Sequence, residues 1–107
     1  MRLVDEAALA ECRARERCEW CGHKGKTDAA HIFSKGAGRV DIACNLVSLC
    51  RACHSLSHAG AEPNMDQLIT LASRREGVRY EYVVNEVYRI RRLPKPISQL
   101  PKKRKRK

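Results

Sequence analysis

Cys18-Glu19-Trp20-Cys21 and Cys50-Arg51-Ala52-Cys53 are two CxxC pairs, the spacing at which both thiolates of a pair reach one tetrahedral zinc. A disulfide framework has no need for two matched pairs, so a structural Zn2+ on Cys18, Cys21, Cys50 and Cys53 is expected. His23, beside Cys21, could replace one thiolate. Cys12 and Cys44 fall outside the pairs and read as buried or free thiols. Directly after the second pair come His54 and His58, which at i and i+4 lie on one helical face and can share a second ion. The 28 residues between the pairs carry His31, Asp41 and Asn45. A neutral imidazole such as His31 can take a proton near pH 7. A lone strand histidine can equally be structural.

Elements that could position these groups are legible in outline. Residues 4–17 read as a helix, with Asp5 as N-cap and Arg13, Arg15 and Arg17 at the end where the dipole favours cations. Residues 27–33 and 45–49 suit short strands, with a glycine-bearing loop over 34–39. Residues 51–58 suit a short helix. Asn64 and Gln67 form a capping box for a helix that Gly77 stops. Tyr80, Val83, Val84 and Val87 repeat at helical spacing, although Tyr80, Tyr82 and Val84 would also suit a strand. The expectation is a small α+β fold, with one domain over residues 1–93 and a flexible basic tail over 94–107.

The chain has 107 residues, 43 % hydrophobic and only 5 % aromatic. A core of that size leaves little margin over chain entropy and calls for a staple such as a metal. No stretch approaches the roughly 20 apolar residues of a membrane span. The opening Met1-Arg2-Leu3-Val4-Asp5-Glu6 turns acidic where a secretory signal needs an apolar core, so a cytoplasmic location is expected. The net charge is +10, but ten of the 22 Lys/Arg and none of the acids lie in residues 89–107, leaving 12 basic against 12 acidic residues before them. A like-charged block of this kind either attracts nucleic acid through counterion release or simply solvates the chain.

Three segments together carry a resemblance. They are Cys18-x-x-Cys21-Gly22; Ala30-His31-Ile32 with Ser34-Lys35-Gly36-Ala37-Gly38; and Asn45-Leu46-Val47-Ser48-Leu49-Cys50-Arg51-x-Cys53-His54 with His58. This order resembles the HNH endonucleases of the ββα-metal fold, small members of which are frequent in bacteriophages. The likeness covers residues 18–60, which would be the core, with flanking helices over 4–17, 64–76 and 79–92. It implies that His31 is the general base, that Asn45 braces the loop, and that His54 binds a catalytic divalent metal such as Mg2+, Mn2+, Ni2+ or Zn2+. Colicin-type members add a second metal-binding histidine four residues on, which His58 matches. The implied substrate is DNA, cleaved to a 5′-phosphate and a 3′-hydroxyl, and phage packaging proteins are partners by family association.

One departure stands out. The family places an Asp or His ligand immediately before the base, and this chain has Ala30. Asp28, on the same strand face, could substitute, or His31 could itself be the ligand. Arg39 stands where many members have glycine. Phosphodiester hydrolysis needs a base, a cation and a route to the backbone. Lys35, Arg39 and Arg51 are candidate phosphate contacts, joined by Lys102, Lys103 and Arg104 of the tail. His58 as a surface residue, Asn45 as a turn cap and Asp41 as a loop brace are the plainer alternatives. Two other functions fit the same residues, a non-catalytic zinc-dependent DNA-binding module and a zinc-mediated protein-interaction domain.

Overall fold

Asp28–His31 (β1) and Leu46–Leu49 (β2) form an antiparallel pair, with Asp28 opposite Leu49 and His31 opposite Leu46. A computed structural model of the chain describes residues 3–93. Around the pair are four helices: Glu6–Arg13 (α1), Arg51–His58 (α2), Met65–Glu76 (α3) and Tyr80–Arg91 (α4). Two short 3-10 turns, Lys35–Ala37 and Ala43–Asn45, lie in the connection between the strands. The fold is α+β. Calls on residues 94–107, including Lys102, Lys103, Arg104 and the flexible tail, lie outside the described residues. No helix among the described residues is long and apolar enough to cross a membrane.

A two-stranded ladder is marginal by itself in water, so the helices must hold it. Alternation along the strands divides the work between two faces. Leu46 packs with Leu9 and Cys12 of α1. Ala30, Val47 and Leu49 join Leu68, Ile69 and Ala72 of α3 and Val83, Val87 and Ile90 of α4. Each of these Val, Leu and Ile side chains taken fully out of water contributes about 1.5–3 kcal/mol. In α3 the Asn64 side chain accepts from the Gln67 N–H, while the Gln67 side chain accepts from the Asn64 N–H. Gly77 ends this helix at φ 69°, in the left-handed region. The ambiguity at Tyr80–Val87 falls to helix, because Val83, Val87 and Ile90 are buried on one side and Tyr82 and Tyr88 are exposed.

Two C-terminal boundaries differ by two residues or more from the sequence expectation. The first helix stops at Arg13 rather than running to residue 17. Glu16 adopts φ 48° and Arg17 bridges to Lys24, so the chain must turn early into the first cysteine pair. The first strand ends at His31 rather than residue 33, because the Phe33 N–H is taken by the Asn45 side chain at 2.9 Å instead of the ladder.

Two long-range ties complete the frame. Glu19, between Cys18 and Cys21, accepts from Arg75 of α3 at 2.7 Å and from the Ser48 N–H of β2 at 2.7 Å. Arg91 of α4 donates to the carbonyls of Gly38 (2.9 Å) and Ser34 (2.8 Å) and lies over the Phe33 ring. At Gly38 a Cβ would meet Arg91 Cγ at 3.3 Å, and φ is 118°, so both the close approach and the backbone angle favour glycine there.

Candidate active site and metal centre

The four expected cysteines come together. The sulfurs of Cys18, Cys21, Cys50 and Cys53 all lie within 4.8 Å of one another, and Cys21 Sγ is 3.8 Å from Cys50 Sγ. Four sulfurs at about 2.3 Å from a tetrahedral zinc would be about 3.8 Å apart, so the cluster can hold a structural metal such as zinc. The Gly22 N–H closes the first pair onto the Cys18 carbonyl at 3.0 Å. Burial opposes charge on Cys18, yet N–H groups of Cys21, Cys50 and Trp20 outweigh it and draw the thiol down to about 7. Burial and the neighbouring sulfurs push Cys53 well above its ordinary range. His23 is not one of the cluster's ligands; its carbonyl accepts the Cys18 N–H at 2.8 Å. Cys12 and Cys44 are buried free thiols, as expected.

Cys50 caps α2 and Cys53 lies in its first turn, so the cluster anchors the helix that carries His54 and His58. Their Nε2 atoms are 3.1 Å apart. Two nitrogens bound at about 2.0–2.1 Å to one tetrahedral or octahedral ion are about 2.9–3.4 Å apart, so this pair fits a shared metal. Asp28 occupies a different place from the one expected of a ligand. Its carboxylate meets His54 on the opposite nitrogen, Nδ1, at 2.9 Å. A carboxylate there requires an N–H on Nδ1 and leaves Nε2 bare, the tautomer a metal needs. The His54 bond, aided by Arg51, holds the Asp28 carboxyl below its usual range.

His31, Lys35, His54, His58, Met65 and Leu68 line one cleft of about 340 Å³. His31 enters it from the end of β1, with its Nε2 2.6 Å from Asp41 Oδ1. The two side chains are only 8 % and 0 % exposed. Burial pulls the His31 pKa below its ordinary value, outweighing the raising effect of Asp41. Burial works against charge on Asp41 as well, but Arg39, His31 and the Asp5 N–H hold its carboxyl below the usual range.

The remaining expected residues divide. Lys35 is exposed on the cleft rim. Arg51 reaches Asp28 at 3.1 Å with its side chain 85 % exposed, open to other anions. Arg39 differs from the expected phosphate contact. Its guanidinium turns onto Asp41, donating from Nε at 3.0 Å and Nη2 at 2.9 Å. Asn45, grouped by resemblance with the catalytic residues, is wholly buried and donates to the Val40 carbonyl while accepting from Phe33. It positions the loop and faces no substrate. Ala30 is buried and offers no ligand. Among the described residues, the four cysteines are the one group of three or more metal-ligating side chains.

No family model, curated protein or solved structure matches the chain. What the site can do follows from its own geometry. It combines a buried histidine held by a carboxylate, two converging imidazoles and a lysine at the rim. The Asp41 contact to His31 had no sequence signal beyond a charged residue in a glycine-flanked loop. Glu19 and Arg75 were likewise invisible as partners.

Proposed function

We propose that this chain is an HNH-type endonuclease that hydrolyses phosphodiester bonds of DNA. The observation that carries this is the shared cleft, which His31 lines together with His54 and His58, whose Nε2 atoms are 3.1 Å apart. The order of β1, β2 and α2 supports the ββα-metal reading. His31 takes a proton from the attacking water, a role suited to an imidazole that burial keeps neutral. A divalent ion such as Mg2+, Mn2+, Ni2+ or Zn2+, when bound by His54 and His58, supplies Lewis-acid stabilisation of the charge on the phosphoryl and leaving oxygens. Lys35 and Arg51 meet the backbone phosphates, and the basic residues of the tail add non-specific attraction.

A second reading is favoured by Ala30. With no acidic ligand at that position, and with Asp28 on the far nitrogen of His54, a metal held by two imidazoles gains little charge compensation, which suits a non-catalytic zinc-dependent DNA-binding module. Supercoiled plasmid separates the two. The nuclease reading expects nicking that needs divalent metal, is abolished by EDTA, and falls about 10²- to 10⁴-fold in His31→Ala. Plasmid that is retarded but intact at every metal concentration would instead leave the binding module standing.

A further inference from the structure

Asp41 is buried without remainder and collects more donors than a loop brace requires. Arg39 reaches both its oxygens, and the Asp5 N–H donates to Oδ2 at 2.9 Å. The Asp5 contact comes from residues 3–5, which run beside the loop: the Leu3 N–H donates to the Arg39 carbonyl (2.7 Å), and the Asp41 N–H donates to the Leu3 carbonyl (2.8 Å). Asn45 already holds the same loop through Val40 and Phe33. The loop is thus secured without His31, yet the shortest of Asp41's contacts, 2.6 Å, goes to that ring.

We propose that Asp41 is a positioning residue that locks the His31 ring as the Nε2–H tautomer, so that the bare Nδ1 is the nitrogen available to accept a proton. The proposal rests on the reading of His31 as the base. An ionised carboxylate only accepts hydrogen bonds, so the opposite tautomer would set two lone pairs against each other across 2.6 Å. Arg39 and Asp5 keep Asp41 ionised and still. The other charged or titratable groups around the ring are Lys35 and Arg39, which disfavour its protonation, and His54 and His58 across the cleft.

Asp41→Asn turns this arrangement around. The Asp5 N–H and Arg39 Nη2 both donate at Oδ2, and Arg39 Nε, shared between the two oxygens, can donate there as well, so the amide oxygen takes that place and the amide NH2 faces His31 Nε2. The ring then has to carry its proton on Nδ1. Long-range 1H–15N correlation spectra read the tautomer directly in the full chain. The unaltered protein is expected to show His31 protonated on Nε2 with Nδ1 bare, and Asp41→Asn to shift it toward Nδ1–H. Cleavage is expected to fall about 10²- to 10⁴-fold, as when a catalytic histidine is held in the wrong tautomer, with metal affinity unchanged. A predominant Nδ1–H form in the unaltered protein would overturn the proposal, whether or not the variant folds. So would a folded Asp41→Asn with the parent's tautomer and rate. DNA left intact by the unaltered protein would sink the nuclease reading instead, and the spectrum would still decide how Asp41 holds the ring.

Discussion

Helix α2 carries part of the four-cysteine cluster and also the His54/His58 pair, and the two groups contrast in charge, depth and support. Cys50 and Cys53 at its start join Cys18 and Cys21 in a set of four thiols, two of them buried. His54 and His58 further along offer two imidazoles at a cleft. Four thiolates neutralise a divalent ion and tie two distant segments together, so occupancy and folding become one equilibrium. Two imidazoles neutralise nothing and sit on a single helix, so an ion there can come and go while the fold stays. The first arrangement suits a permanent structural part, the second an exchangeable participant in chemistry.

The largest effect should come from the cysteines. Metal binding in small zinc modules is worth on the order of 10 kcal/mol, comparable with the whole stability of a domain this size. Cys18→Ser or Cys53→Ser should therefore abolish cooperative unfolding by circular dichroism along with zinc content. A folded native protein free of zinc by elemental analysis would erase the contrast altogether. EDTA at modest concentration should strip the histidine pair and leave the cysteine cluster occupied.

A smaller effect is expected at Asp28, whose carboxylate meets His54 and Arg51 and no residue of the cysteine cluster. Asp28→Asn should weaken metal binding by His54 and His58 about 10- to 100-fold, the usual consequence of losing a carboxylate behind a ligating histidine. Thermal stability should barely move, because solvent screens this partly exposed pair. Calorimetric titration with Mn2+ or Ni2+ checks this, and unchanged affinity would mean that Nδ1 of His54 needs no support.

Acid should affect the cleft in a defined direction. His31 must be neutral to accept a proton, and its pKa lies below the ordinary value of 6.5. Cleavage should therefore be level at neutral pH and fall only as pH drops through that lowered pKa, by about tenfold per unit below it. A profile still rising between pH 7 and 8 at saturating metal would point to a different base. Smallest of all, Asn64→Ala removes the cap of α3 and should cost about 1 kcal/mol in denaturant unfolding, while leaving metal content and cleavage unchanged. Coupled loss of either would show that α3 supports the sites more closely than its cap suggests.

How much of this was legible depended on range. The CxxC pairs, the His54/His58 spacing and the Asn64/Gln67 box are relations over three or four residues, within one turn of chain, and all appear as expected. The arginines at 13, 15 and 17 read as a helix terminus and extend α1 in the sequence expectation, whereas Arg15 turns to Glu19 at 3.0 Å in the chain's approach to the first cysteine pair.

From its sequence alone this protein is committed to α+β elements, two CxxC pairs of matching chemistry and two histidines on one helical face, because local spacing and periodicity set each of these whatever surrounds them. That the two pairs meet across 29 positions is a tertiary relation. Only the tertiary structure decided what stands behind each histidine. Asp28 reaches His54 across 26 positions, Asp41 reaches His31 across ten, and Arg39 turns away from the cleft to hold Asp41. The two carboxylates are the same residue type in unremarkable sequence surroundings. Strand register brings Asp28 to His54, and burial assigns Asp41, since a carboxylate in a low-dielectric interior must find every donor it can.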